Sequence, residues 1–269
     1  MTATTYRPAT LAADRPAHIT DTFRAEWTKL RTLRSTWYTL GGAAVASIAL
    51  SALVSLATVS GWDQMSAKQR ATFDPTSTAL IGVMFAAIII GSLAVRAITS
   101  EYSSGMIRVT FTAIPGRRDV VAAKAAILAV MAFPVGLVSN LLALLAAQQI
   151  MAGKSISLSL GDPGVMQAII FGAVAVSLVT VMGLGLGGII RRTAGATTAL
   201  SLVIVGGSIF GIALPESARA YLPSSALQAV VSVKASAGLL EPAIGLAVLV
   251  GYATVAFVVA SRLIARRDA

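Results

Sequence analysis

Long stretches without charged residues dominate this chain. Six of them contain no Asp, Glu, Lys or Arg: 35–62, 75–95, 125–153, 163–190, 193–215 and 242–261. A helix needs about 20 mostly apolar residues to cross roughly 30 Å of hydrocarbon, and each stretch is long enough. A charge at the bilayer centre costs at least about 2.5 kcal/mol, so a membrane requires such uncharged windows. The pattern predicts an all-α, polytopic integral membrane protein with six transmembrane helices, at about 38–60, 78–98, 124–148, 165–190, 195–213 and 242–262.

The polar segment before the first stretch, residues 20–37, has the periodicity of an amphipathic helix. Its large apolar residues recur at steps of three or four: Phe23, Trp27, Leu30, Leu33 (or Arg34) and Trp37. Its basic residues lie mostly off this stripe: Lys29, Arg31 and Arg34. A basic helix with tryptophan on its apolar face tends to lie in the headgroup plane of a membrane. The pattern predicts an N-terminal amphipathic elbow helix at the membrane interface; the alternative is a cytoplasmic extension of the first span.

The composition agrees with a membrane protein rather than a soluble one. Of the 269 residues, 56% are apolar and 12% are charged, against about 25% charged in typical soluble domains. The chain has no cysteine, which excludes disulfides and cysteine-based metal sites. Its one histidine, His18, lies in the polar segment 1–19, which we expect to be a disordered cytoplasmic tail. Residues 264–269 are expected to form a second cytoplasmic tail.

The net charge of +10 is distributed unevenly between the two sides of the predicted spans. If the spans alternate in direction, one side receives only five of the 21 basic residues: Lys68, Arg70, Lys154, Arg219 and Lys234. Basic residues in short loops favour the cytoplasmic side, so both termini are predicted to be cytoplasmic. The basic excess then faces anionic lipid headgroups. Membrane lipids are expected as partners and nucleic acid is not.

Two pairs of glycines have the spacing that lets helices approach closely in lipid: Gly183 with Gly187, and Gly207 with Gly211. These pairs fit packing within one chain as well as a seam between two chains.

The longest segment on the predicted outer side is 214–241. Its apolar part, 224–233, is too short to span a membrane. It is predicted to be re-entrant or to lie on the interface.

We expect the spans to carry no buried Asp, Glu, Lys, Arg or His, and therefore no group that could relay protons or bind a coupling ion. Gly153-Lys154-Ser155 looks like the end of a phosphate-binding loop, but that pattern needs a glycine where Gln148 stands. We therefore predict no catalytic residue, no metal site, no cofactor and no ATP hydrolysis by the chain itself. Transport through such a bundle would take its energy from a separate ATPase that contacts the cytoplasmic loops.

Two segments resemble the type-2 ABC exporter permeases, in the multidrug-exporter branch common in actinobacteria. One is Glu26-Trp27-Thr28-Lys29-Leu30-Arg31-Thr32-Leu33-Arg34, directly before the first span. The other comprises Glu101-Tyr102-Ser103-Ser104-Gly105, then Pro115-Gly116-Arg117-Arg118, then Lys124 at the start of the third span. Tyr221-Leu222-Pro223-Ser224 is similar to the family's outer re-entrant stretch. The resemblance covers about residues 20–263.

The resemblance implies a role for each segment. Residues 20–37 would form the elbow helix on the inner leaflet, and 99–118 would carry the coupling helix that sits in a groove of the ATPase. The residues implied in coupling are Glu101, Tyr102, Gly105, Arg108, Pro115, Arg117 and Arg118. Glu101 would anchor this element, and Arg117 and Arg118 would hold its far end near headgroups or the partner. Two ATPase chains would drive two copies of this chain, or this chain with a similar permease, to export a lipophilic or amphipathic substrate across the cell membrane.

Other classes of function also fit the residues. A membrane scaffold or sensor subunit that transports nothing would have the same spans, and an adjacent gene for an ABC ATPase would favour transport over this alternative. A secondary carrier is disfavoured because the spans lack ionisable groups. The charges of 99–118 also fit an orientation signal alone.

Overall fold

The computed structural model of the chain describes residues 19–107, 116–154, 156–211, 214–234 and 238–266. Within these ranges the backbone forms helices and turns and no strands. The helices are α1 (Ile19–Thr32), α2 (Arg34–Gly61), α3 (Ala67–Thr72), α4 (Pro75–Ala79), α5 (Val83–Ser103), α6 (Arg117–Ala152), α7 (Val165–Ile190), α8 (Thr193–Ser201), α9 (Gly207–Phe210), α10 (Glu216–Arg219), α11 (Pro223–Val231) and α12 (Pro242–Arg266). A 3₁₀ turn, Trp62–Gln64, follows α2, and a π-helical turn, Leu202–Gly206, joins α8 to α9. The predicted all-α class is confirmed.

Five helices in the described ranges are long and apolar enough to cross a membrane: α2 with its 3₁₀ extension, α5, α6, α7 and α12. Each corresponds to one of the predicted spans. The remaining predicted span, 195–213, coincides with α8, the π-helical turn and α9. The continuous apolar helix there is Thr193–Gly206, which is shorter than each of the five spanning helices. The polytopic membrane class is therefore confirmed, while the number six stays a prediction.

Helix α7 lies in the middle of the bundle, in contact with α5, α6, α8 and α12. A Cβ atom on Gly183 would overlap the carbonyl oxygen of Gly91 in α5. A Cβ atom on Gly187 would lie 2.6 Å from the Cγ2 atom of Ile98, one turn further along the same helix pair. Glycine is what lets two helix backbones approach this closely in lipid. The first predicted glycine pair thus packs against α5 of its own chain.

The second glycine pair brackets α9, since Gly207 begins this helix and Gly211 follows its last residue. A Cβ atom on Gly207 would overlap the hydroxyl of Ser224, and one on Gly211 would lie 3.0 Å from Leu222. Both glycines therefore face the start of α11 in the same chain.

Replacing Gly183 with alanine should lower the free energy of unfolding by about 1–3 kcal/mol, because the added methyl group forces α5 and α7 apart. The measurement is the midpoint of thermal unfolding in detergent. Gly251→Ala in α12 is the matched control, since a Cβ atom there meets nothing within 4 Å. Equal midpoints for the two variants would contradict the close packing of α5 and α7.

Helix α5 starts later than the predicted second span because the chain is interrupted at residues 80–82. The backbone N–H of Gly82 donates a hydrogen bond to the Ser51 hydroxyl, at 3.0 Å. Ser51 belongs to a buried row on α2 with Ser47 and Ser55, spaced by one helical turn. The spanning helix is consequently Val83–Ser103 rather than 78–98. Hydropathy is equally high on both sides of the break, so the sequence pattern does not reveal it.

Helix α11 is the longest helix described in the predicted outer segment. Its nine residues extend about 14 Å, too short to span the hydrocarbon. It packs against α12 and the π-helical turn, and most of its side chains are buried. Its re-entrant or interfacial position stays a prediction.

Candidate functional site

Helix α1 lies along the start of α6 and turns sharply into α2. Thr22, Glu26 and Leu30, spaced by one helical turn, form its buried face. The helix ends at Thr32, and Leu33 takes an extended conformation, with φ −75° and ψ 110°. Of the predicted elbow range 20–37, residues 34–37 therefore belong to α2. The Trp37 indole N–H donates to the Arg31 carbonyl at 2.9 Å, which fixes the angle of the turn.

The buried face of α1 joins an ion cluster of four residues: Glu26, Lys29, Glu101 and Lys124. The Lys124 ammonium lies 2.6 Å from Glu26 Oε2 and 2.9 Å from Glu101 Oε1. Lys29 also donates to Glu101. Lys124, Glu101 and Glu26 are only 2%, 3% and 7% exposed. The four charges sum to zero, which is the condition under which charges are tolerated in a protein interior.

The ion cluster connects three segments that are distant in sequence. Glu26 and Lys29 come from α1, Glu101 from the last turn of α5, and Lys124 from the second turn of α6. The expectation that the spanning helices carry no buried ionisable group is therefore wrong, because Glu101 and Lys124 lie inside α5 and α6. Glu101 and Lys124 each lie near the end of a predicted span, where a charge is normally solvated. They are buried because α1 packs over them.

Aromatic and hydroxyl contacts hold the end of α5 to the α7–α8 junction. The Arg191 guanidinium lies 4.6 Å from the centroid of the Tyr102 ring, in cation–π geometry. The Thr99 and Thr193 hydroxyls are 2.7 Å apart. Arg191 closes α7 in a left-handed conformation, with φ 59°. Tyr102, predicted in the coupling segment, thus helps to fix this junction.

The other predicted coupling residues are dispersed. Gly105 follows α5 with φ 71°, a conformation that favours glycine. Arg117 donates to the Ile264 carbonyl at the end of α12, at 3.5 Å, and Arg118 is exposed. Arg108 and Pro115 lie outside the described residues.

These contacts define two ends of the bundle. We call the end that holds the ion cluster, Arg191 and Ile264 the basic end. The opposite end, which we call the far end, holds α3, α4 and the Lys154–Asp63 ion pair.

Asp74 at the far end is a structurally important residue that the sequence analysis missed. One oxygen of its carboxylate accepts hydrogen bonds from the Thr76 and Ser77 amides, at 3.0 and 3.3 Å, and caps α4. The other oxygen accepts from the amides of Val233 and Lys234, at 2.8 and 3.2 Å. Asp74 followed by Pro75 is a recognisable helix start. The link to the chain after α11 leaves no local signal.

Comparison with known proteins places the chain in a family. No curated protein matches it. A family model described as "ABC-2 family transporter protein" matches residues 22–208. The match includes α1, the ion cluster, α5, α6 and α7, and it covers well over half of the chain. Members of this family are the membrane permease subunits of ABC transporters and are not themselves catalytic. This chain belongs to the ABC-2 family of transporter proteins.

Proposed function

We propose that the chain is the permease subunit of an ATP-driven exporter for a lipophilic or amphipathic substrate, powered by two separate ABC ATPase chains. The observation that carries the proposal is the ion cluster at the basic end, within a chain of the ABC-2 family. The proposed arrangement has two permease chains in the cell membrane, identical or similar, with the basic end and both termini in the cytoplasm.

The ion cluster suggests how force from an ATPase would reach the bundle. The segment that links α5 to α6 begins after Ser103 and ends before Arg117. Glu101 lies in the last turn of α5 before this segment, and Lys124 lies in the second turn of α6 after it. Both are bonded to α1. A push on this segment would therefore move the ends of α5 and α6 together with α1, as one unit. The α7–α8 junction would follow through Tyr102 and Arg191.

Moving the end of α5 away from the start of α6 would cost free energy, because it would separate Glu101 from Lys124. This supports coupled motion of the two helix ends. Removing one partner from a buried ion pair costs about 3–5 kcal/mol. The Lys124 ammonium of α6 lies 2.9 Å from the Glu101 carboxylate of α5. We therefore expect Glu101 and Lys124 to stay paired while α1 and the ends of α5 and α6 move together.

Reversing the charge of Arg118 tests the proposed ATPase contact. Arg118 is exposed at the basic end, so Arg118→Glu should leave the fold intact. We expect at least a tenfold loss of the ATPase that co-purifies with the permease, because one contact of about 1.4 kcal/mol becomes repulsive. The proposal expects an ABC ATPase gene beside this one, and its product is the ATPase to co-express with the full chain.

Lys68→Glu at the far end is the matched control, since Lys68 is also exposed. It should leave co-purification unchanged. Loss of the ATPase in Lys68→Glu, with retention in Arg118→Glu, would show that the orientation is reversed. If both variants retain the ATPase, the segment around Arg118 is not part of the docking site.

A further inference from the structure

An apolar groove runs between α1, α2 and α6 on the outside of the bundle. Its volume is about 570 Å³, within the usual range of about 300–1,000 Å³ for small-molecule sites. The residues that shape it are Trp27, Trp37, Gly41, Ala44, Pro134 and Val138. Within the described ranges, no charged side chain lines the groove.

The lining residues of the groove follow the axes of α2 and α6. Trp37, Gly41 and Ala44 lie on one face of α2 and extend along about 10 Å of helix. A Cβ atom on Gly41 would meet nothing within 4 Å, so the floor of the groove is open space. Both α2 and α6 are long enough to span a membrane. The groove therefore has the length and the apolar lining to accept a hydrocarbon chain.

Positive charge is concentrated at one end of the groove, where the two tryptophans lie. Arg31 follows Trp27 by one turn of α1, and Arg34 precedes Trp37 by one turn of α2, so each arginine shares a helix face with a lining tryptophan. The Trp37–Arg31 hydrogen bond holds the two helices together at this end. Both arginines are exposed, and neither forms an ion pair with a carboxylate in the described part of the chain.

We infer that the groove is a binding site for one anionic phospholipid, with an acyl chain along it and the phosphate at Arg31 and Arg34. Guanidinium groups bind phosphate oxygens in bidentate geometry. Tryptophan is the residue that favours the boundary between headgroups and hydrocarbon, and both tryptophans lie at the charged end. The inference goes beyond the proposed function, because it depends neither on transport nor on the ATPase.

The charges disfavour a second copy of the chain as the occupant. A twofold contact at this groove would bring the same surface of both copies together. Arg31 and Arg34 of each copy would then face an arginine-rich surface that offers them no counter-charge. An anionic headgroup supplies that charge.

Native mass spectrometry of the purified full chain tests the inference with two probe lipids. Equal amounts of dioleoylphosphatidylglycerol and dioleoylphosphatidylcholine are added in detergent, and the lipid retained per chain is measured. We expect one phosphatidylglycerol, in at least about tenfold excess over phosphatidylcholine, because two basic residues favour the anionic headgroup. The double variant Arg31→Gln/Arg34→Gln should lose this excess. Gly41→Phe, which fills the groove, should lose the bound lipid itself.

The control is Arg192→Gln/Arg262→Gln, which removes two exposed charges at the basic end without touching the groove. It should retain phosphatidylglycerol like the unmodified chain. Equal retention of both lipids would overturn the inference, as would the same loss in both double variants. If Gly41→Phe keeps its lipid, or loses a dimer instead, the groove holds another occupant. The arginine variants decide the question even if Gly41→Phe fails to fold.

Discussion

Replacing Lys124 with methionine should lower the free energy of unfolding by about 3–5 kcal/mol, the cost of leaving a buried charge without its partner. Lys124 is 2% exposed and is bonded to both Glu26 and Glu101. Methionine fills a similar volume but cannot neutralise either carboxylate. Glu26 would lose its bonded cation and Glu101 would keep only the half-exposed Lys29, so the contact of α1 with α5 and α6 would weaken. The midpoint of thermal unfolding in detergent measures the loss.

Two further lysine variants separate burial from charge. Lys29 is 41% exposed on its side chain, and Glu101 keeps Lys124 when Lys29 is replaced, so Lys29→Met should cost much less. Lys154→Met removes an exposed pair with Asp63 and should change the midpoint little. A Lys124→Met variant that unfolds at the same temperature as Lys154→Met would contradict the importance of the ion cluster.

The triple variant Glu26→Leu/Glu101→Leu/Lys124→Met tests what the cluster contributes beyond stability. Apolar replacement of a buried ion network is often neutral or stabilising. Lys29, the fourth member, stays in place, and its side chain is 41% exposed, so water can solvate its charge. We therefore expect the triple variant to recover most of the stability lost in Lys124→Met. If the proposed coupling is right, it should still bind the ATPase, because the replaced residues are buried and do not form the docking surface.

The long helices could be predicted from the sequence because the bilayer acts locally. Most residues in the middle of a spanning helix must be uncharged whatever their neighbours in space are, so uncharged windows predict α2, α5, α6, α7 and α12 well. The interruption at Gly82 was not predicted, because it depends on the Ser51 hydroxyl in another helix. The π-helical turn before Gly207 likewise has no hydropathy signal.

The candidate site could be predicted only residue by residue. Glu26, Lys29, Glu101 and Lys124 all stand in the segments that carry the resemblance to the permease family. The pairing of Glu26 and Glu101 with Lys124 joins residues that are 98 and 23 positions apart, and it depends on the relative rotation of α1, α5 and α6. Trp27 and Trp37 were placed on one apolar stripe of a single helix. The turn at Leu33 instead puts them on two helices, where they line the groove.

Replacing Asp74 with alanine should destabilise the far end by about 2–4 kcal/mol. Loss of the helix cap accounts for about 1 kcal/mol, and two further amides lose a charged acceptor. Asp74 is 7% exposed, so water does not readily replace it. The stability of the whole chain should fall less than in Lys124→Met, since α2, α6 and α7 do not depend on this carboxylate.

The variant Asp74→Asn distinguishes the two roles of this side chain. Asparagine caps helices as well as aspartate does, so its oxygen can still accept from the Thr76 and Ser77 amides. Its NH₂ group then faces the amides of Val233 and Lys234, which are also donors. Hydrogen exchange measured by mass spectrometry should therefore be faster at Val233 and Lys234 and unchanged at Thr76 and Ser77. Faster exchange at Thr76 and Ser77 alone would mean that the asparagine has flipped to keep the long-range link at the expense of the cap. Unchanged exchange at both sites would show that the carboxylate does not hold the end of α11 to the start of α4.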